Sequence, residues 1–209
     1  MFFHSSQGPL RTNKNLILAS ASPRRQHLLA GLGLHFHVRP SQYTEPPPAK
    51  GESPQNYALN MARQKAQDIA SHVHSAVILA ADTIVVLKNS ILGKPRDKHE
   101  ALSMLTALCG TSHQVITACS LLDQATGQET RYAVCTDVQM PHQDPSLLKA
   151  YIETGEPMDK AGSYAIQGSG SFLVSAISGS YTNVVGLPLA ETLSALLEFQ
   201  AVRPAGDRS

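Results

Sequence analysis

At 209 residues the chain is long enough to bury roughly 70% of its unfolded surface, in one generous domain or two closely joined lobes. Its 17 lysines and arginines against 16 aspartates and glutamates leave a formal charge of +1, which excludes a global field for gripping nucleic acid or an anionic membrane. Three cysteines, Cys109, Cys119 and Cys135, lack C-x-x-C spacing and point to reduced thiols in a cytoplasmic protein rather than to a disulfide framework or a zinc site.

The opening "MFFHSSQGPLRTNKN" lacks the apolar centre of a secretory signal, and residues 1–14 read as a flexible leader. "NLILA", Asn15 to Ala19, reads as a short β-rich apolar run. A helix follows, with Ser22 as its cap and Pro23 at its first position, closing at Gly31 or Gly33. After a strand around "HFHVRP", the loop Glu45 to Pro54 leads into a second helix, capped by Ser53 and running to about Ala70. "AVILAADTIVVL", Ala76 to Leu87, has the continuous apolar character of a strand buried on both faces.

Asp97 and Glu100 form a D-x-x-E capping pattern for a helix that ends at Gly110. "HQVITACSLLD" and "TRYAVCTDVQM", separated by a glycine-containing turn, read as two antiparallel strands. Asp144-Pro145 starts a helix ending at Gly155, "SFLVSAIS" is strand-like, the last helix starts near Pro188, and residues 201–209 fray. Strands alternate with helices around a central hairpin, so the expectation is an α/β chain: a mixed sheet flanked by helices, with one domain over 15–200. No internal repeat and no apolar run of the ~18 to 20 residues needed to cross a membrane is present.

The chemistry begins with local charge asymmetry, because Arg11, Lys14, Arg24, Arg25 and Arg39 all precede the first carboxylate, Glu45. Arg24 and Arg25 stand in the first turn of a helix, where positive charge opposes the macrodipole by about 0.3 to 1 kcal/mol each when exposed. Two readings stand: solvated surface groups, or a phosphate grip formed with the Ser20 and Ser22 hydroxyls and the free N–H groups of the helix start. Asp82, in the middle of "VILAADTIVV", is a carboxylate whose unpaired burial costs several kcal/mol. It is either a metal ligand or general base at the edge of a cleft, or a structural strand-end aspartate. Ile84 at the third position of "DTI" excludes both the D-T-G loop and a D-x-D nucleophile.

Tyr57, Met61, Lys65 and Ile69 recur every four residues, so Lys65 shares an apolar stripe. Lys94 sits in a tight "GKP" loop beyond the Asp82 strand, and converging lysines would mean a polyanionic ligand. "GEPMDKAGSYAIQGSG", Gly155 to Gly170, is a long polar loop in which Gln167 carries the donor and acceptor needed to read the edge of a base. A P-loop, G-x-G-x-x-G, H-E-x-x-H and G-x-S-x-G are all absent, and the nine histidines show no metal-ligand pattern.

In this order, "SASPRR", "AADTIV", "GKPRD", "GEPMDKAGSYAIQG" and "NVVGLPL" resemble the Maf family of nucleoside triphosphate pyrophosphatases, from about Leu16 to Leu197. The resemblance implies an α/β fold with a central twisted mixed sheet and a cleft between two lobes, similar to the inosine triphosphate pyrophosphatases. It implies hydrolysis of a nucleoside triphosphate to the monophosphate and pyrophosphate with a divalent cation, Mg²⁺ or Mn²⁺, commonly in a homodimer. By matching motif positions Asp82 takes the catalytic acid/base place, and Ser20, Arg24 and Arg25 the phosphate-binding segment. Lys65 and Lys94 match the cleft lysines, and Glu45 joins Asp82 at the metal, although "SQYTEPP" is less acidic than the family's usual form. Arg24, Thr83 and Gln167 together are similar to the branch acting on dTTP and UTP. The alternatives are the sister branch acting on 7-methyl-GTP and a non-catalytic nucleotide-binding regulator of cell division.

Overall fold

A computed structural model describes residues 2–3 and 8–206, with side chains from residue 8 onward. In chain order the elements are β1 (Phe2–Phe3), β2 (Leu10–Thr12), β3 (Leu16–Leu18), α1 (Pro23–Ala30), β4 (Phe36–Val38), α2 (Pro54–Ala70), β5 (Val77–Leu87) and β6 (Ser90–Leu92). There follow α3 (Lys98–Leu108), β7 (Ser112–Asp123), β8 (Glu129–Gln139), α4 (Pro145–Glu153), β9 (Ala176–Ser178), α5 (Tyr181–Val185), α6 (Leu189–Glu198) and β10 (Val202–Pro204). The main sheet has the order β1-β4-β3-β5-β7-β8-β9, with β6 on β5. It is mixed: β3 is parallel to β4 and β5, whereas β6 and β9 pair antiparallel to their neighbours. This is the α/β arrangement that the alternating pattern implies.

The chain forms two compact units. The first comprises Met1–Asp82, Ala118–Ala133 and Gly186–Ser209. Its central strands are apolar on both faces because helices cover both. Leu16, Leu18 and Leu79 face a cluster with Leu29, Leu196 and Phe199, while Ile17, Ile78 and Ala80 face Ala66 and Ile69 of α2. The period of two along a strand therefore decides where Asp82 points. It shares the parity of Ile78 and Ala80, which is the α2 side.

In the same unit β2 pairs antiparallel with β10, Arg11 opposite Arg203. The expected leader and tail thus contain a two-stranded ribbon, formed by residues too far apart in sequence to announce each other; Met1, residues 4–7 and 207–209 lie outside the described residues. Ser53 caps α2 as expected, its Oγ accepting the Asn56 N–H at 3.2 Å. Ser22 occupies the cap position of α1 without making a side-chain cap bond, a departure from the expected hydroxyl cap.

The second unit comprises Thr83–Thr117 and Val134–Val185. Its core joins Leu105 and Leu108 of α3, Val115 of β7, Val138 of β8, and Leu148 and Ile152 of α4. Asp97 and Asp144 cap α3 and α4 by accepting from Glu100 N at 2.8 Å and Ser146 N at 2.7 Å. The β5–β6 hairpin turns through Lys88 and Asn89, whose φ of 48° and 67° are the left-handed values of a two-residue hairpin turn. Of "SFLVSAIS" only Ala176–Ser178 is strand; Ser171 to Leu173 belong to a 3₁₀ turn over Gly168–Leu173. No described helix is long and apolar enough to cross a membrane.

Candidate functional site

The parallel ladder between β3 and β5 runs to Leu18 opposite Leu79, and β3 then leaves the sheet through Ala19 and Ser20 into α1. β5 continues, so Asp82 stands just past the carboxyl end of β3, the place where open α/β sheets present their ligand groups. Asp82 is 5% exposed. Its Oδ1 accepts from Lys65 Nζ at 2.7 Å, while its Oδ2 is buried with no hydrogen-bond partner. A buried, acceptor-only oxygen left open is costly unless a ligand serves it.

Lys65 reaches Asp82 because it shares the α2 stripe of buried Met61 and Ile69, the face turned toward the sheet. The same ammonium lies 2.6 Å from Glu45 Oε1. Glu45 sits in the loop between β4 and α2, which α2 holds at two points. Asp68 accepts from Ser41 Oγ at 2.8 Å and Gln42 N at 2.9 Å, and the Tyr57 hydroxyl donates to the Pro46 carbonyl at 3.0 Å. Burial, reinforced by Glu45, pushes the Tyr57 hydroxyl up to about 12, so it remains a donor throughout the physiological range.

Ser20 and Arg25 meet on the other side of β3. Arg25 Nη1 donates to Ser20 Oγ at 3.0 Å and to the Ala81 carbonyl at 2.9 Å, and its Nε to the Gly186 carbonyl at 2.7 Å. Burial lowers the Arg25 guanidinium from its ordinary value, with Asp82 opposing that shift. Arg24 is half-buried in the first turn of α1, a helix whose start has no side-chain cap.

Thr83, Lys94 and Gln167 belong to the second unit. Thr117 donates to the Asn183 carbonyl at 2.9 Å, so its single proton is committed and the Thr83 hydroxyl donates to Thr117 Oγ1, also at 2.9 Å. Asn183 is fully buried and bonds Thr117 N, the Val115 carbonyl and Thr136 Oγ1. That network seats α5, which also carries Tyr181, and the Gln167 Nε2 donates to the Tyr181 hydroxyl at 3.1 Å. Thr83 and Gln167 are thereby tied to one short helix. Lys94 is exposed, in a loop held by a bond from Gly162 N to the Gly93 carbonyl at 3.0 Å.

Residues 15–199 match the family of Maf-like proteins. The chain belongs to the Maf family. A dTTP/UTP pyrophosphatase of Oleidesulfovibrio alaskensis is 46% identical over 201 residues, which are 95% of this chain and 91% of that protein. A dTTP/UTP pyrophosphatase of Syntrophotalea carbinolica is 44% identical over 97% of this chain and 93% of its own length. One of Myxococcus xanthus is 49% identical over 88% of this chain and 91% of its own.

Within the Maf chain the first unit thus brings Glu45, Lys65 and Asp82 into one line of contact and sets Ser20 and Arg25 around the peptide before Asp82. Sequence reasoning missed Glu156, in the quoted "GEPMDK" stretch. Its carboxylate accepts from Ser169 N at 3.1 Å, Ser169 Oγ at 2.6 Å, Gly170 N at 3.0 Å and the Tyr151 hydroxyl at 3.1 Å. The turn that follows Gln167 is built on this one side chain. Gly168 has φ +78°, and a Cβ there would come within 2.9 Å of Glu156 Oε2, so glycine is required. The signal was a carboxylate thirteen residues before Ser169, in the run of small residues Gly168 to Gly170 of the same polar loop.

Burial pushes the Glu156 carboxyl up, but the bonds from Ser169, Gly170 and Tyr151 together outweigh it and hold it below its ordinary value. A lowered carboxylate contributes stability that is present above the unfolded value and lost as pH falls through the folded one. Glu156→Gln places an NH₂ against N–H and O–H donors and costs about 1 to 3 kcal/mol at pH 7. Urea midpoints of the variant and wild type differ at pH 7, and the gap narrows as the pH falls below the usual glutamate range.

Proposed function

We propose that this chain hydrolyses dTTP and UTP, and related pyrimidine nucleoside triphosphates, to the monophosphate and pyrophosphate, clearing the cytoplasmic nucleotide pool. The observation that carries the reading is Asp82, buried, held by Lys65 through one oxygen and open at the other. The relatives, similar over nearly the whole length and named dTTP/UTP pyrophosphatases, support the substrate class.

Among the described residues no group of three or more metal-binding side chains occurs. The two carboxylates that share Lys65 suit Mg²⁺ or Mn²⁺, which commonly take one or two carboxylates and complete their shell with water and substrate phosphates. Asp82 through its open Oδ2, with Glu45, would hold the cation; once bound, it polarises a phosphoryl oxygen and acidifies the attacking water. Asp82 accepts the proton of the water that attacks the α-phosphorus. Lys65 orients that carboxylate and, with Arg24 and Lys94, neutralises the charge that builds on departing pyrophosphate, with Arg25 adding its charge from within the fold. Ser20 donates to a phosphate oxygen. Gln167, steadied by Tyr181, and Thr83 meet the base, the amide pairing with the N3–H and carbonyl edge of uracil or thymine.

The test is a panel of dTTP, UTP, CTP, GTP and 7-methyl-GTP with Mg²⁺ or Mn²⁺, assayed separately for pyrophosphate and orthophosphate. Pyrophosphate release fastest with dTTP and UTP is the expected result. Orthophosphate release, preference for 7-methyl-GTP, or binding without turnover each rejects it.

A further inference from the structure

Resting on the pyrophosphatase reading, we infer that Arg25 acts as a positioning residue: it makes the Ser20 hydroxyl an obligate donor and fixes the peptide that carries Asp82, rather than gripping the triphosphate. A guanidinium has five N–H donors in a planar fork. The single donor of Nε goes to the Gly186 carbonyl, and the two of Nη1 go to Ser20 Oγ and the Ala81 carbonyl, at 2.7, 3.0 and 2.9 Å. These three acceptors all belong to the protein.

The Ala81 bond completes the sheet. Carbonyls on one edge of a strand recur every second residue, and on the β3 edge of β5 the Leu79 carbonyl accepts from Ala19 N at 2.8 Å. The next carbonyl on that edge is Ala81, but by then the chain has turned toward α1 and offers no strand N–H. Arg25 supplies the missing donor. It thereby orients the peptide joining Ala81 to Asp82 at the point where the ladder ends.

The Ser20 bond sets polarity. A hydroxyl has one hydrogen and two acceptor lone pairs. Ser20 Oγ accepts from Arg25 Nη1 at 3.0 Å and from Ser22 N at 3.3 Å, so both lone pairs are in use. Its hydrogen is the only function left, and Ser20, 7% exposed, faces a ligand solely as a donor. Such a group favours a phosphate oxygen, which only accepts.

The experiment uses the full chain with Arg25→Lys, Ser20→Ala and the double variant, each with thermal midpoints recorded. Arg25→Lys keeps the positive charge but cannot span three acceptors in a plane. Two readouts are taken: steady-state kcat and KM with dTTP and Mg²⁺, and calorimetric affinity for a non-hydrolysable dTTP analogue. Positioning predicts that Arg25→Lys lowers kcat by about ten- to a hundredfold with KM changed less than about threefold. Ser20→Ala then adds little in the Arg25→Lys background, in turnover and in analogue affinity alike. A raised KM with kcat preserved, or independent, multiplying losses in the double variant, overturns the inference. Arg25→Ala is prepared alongside, and if it fails to fold while Arg25→Lys folds, the lysine variant alone decides. Should wild type release no pyrophosphate, the enzymatic reading falls, whereas the affinity cycle between Arg25 and Ser20 still decides the coupling.

Discussion

Asp82→Asn abolishes most turnover while leaving the fold intact. Asparagine has the shape of aspartate, and its Oδ1 still accepts from Lys65, which keeps the 2.7 Å contact of the native pair. What disappears is the capacity to take a proton and to offer a second anionic oxygen where Oδ2 now lies without a partner. Positioned general-base catalysis is worth about 10² to 10⁴ in rate, so kcat with dTTP and Mg²⁺ falls by that factor while the thermal midpoint stays near wild type. KM for dTTP with Mg²⁺ rises as well, because the lost anionic oxygen is the one that, with Glu45, would hold the cation. Steady-state kinetics and thermal unfolding on the same preparation check both halves. Near-wild-type kcat removes the base from Asp82, and full recovery at raised Mn²⁺ leaves the residue with the cation-holding role alone.

The features of Asp82 that matter were written locally: a charge inside a continuous apolar run, next to a helix stripe that carries Lys65. Caps at Ser53, Asp97 and Asp144 were legible for the same reason, since a cap bond spans two or three residues. What escaped the sequence is non-local or backbone-borne. The three acceptors of Arg25 include two carbonyls, which no residue letter records. The β2–β10 ribbon joins positions some 190 residues apart, as Arg11 opposite Arg203 shows. β6 hides behind Lys88-Asn89, where only the asparagine hints at left-handed backbone. Ser171 to Leu173 have strand-like composition, but Glu156 grips Ser169 and Gly170 and bends the segment into a 3₁₀ turn. His113 reads as one histidine among nine; it is buried against the Tyr164 hydroxyl at 2.6 Å, and burial lowers it to about 4, which keeps it neutral.

Lys65→Met destabilises the protein and removes turnover together, and the two effects separate by their partners. The Lys65 side chain is 15% exposed, that of Asp82 7% and that of Glu45 43%. Without the ammonium, Glu45 turns toward water, but Asp82 cannot. A stranded buried charge costs about 3 to 5 kcal/mol, and the urea midpoint falls accordingly with an unchanged denaturant slope. Adding Asp82→Asn removes the stranded charge, so the double variant is more stable than Lys65→Met alone by an interaction of about 0.5 to 3 kcal/mol. Adding Glu45→Gln instead recovers little, because that carboxylate already has solvent. Equal recovery from both additions, or none from either, shows that Lys65 does not compensate Asp82. Turnover tells the same residues apart in another way: Lys65→Met loses charge neutralisation on the departing pyrophosphate as well as the orientation of the base, so kcat/KM falls further than in Asp82→Asn once substrate binding is included.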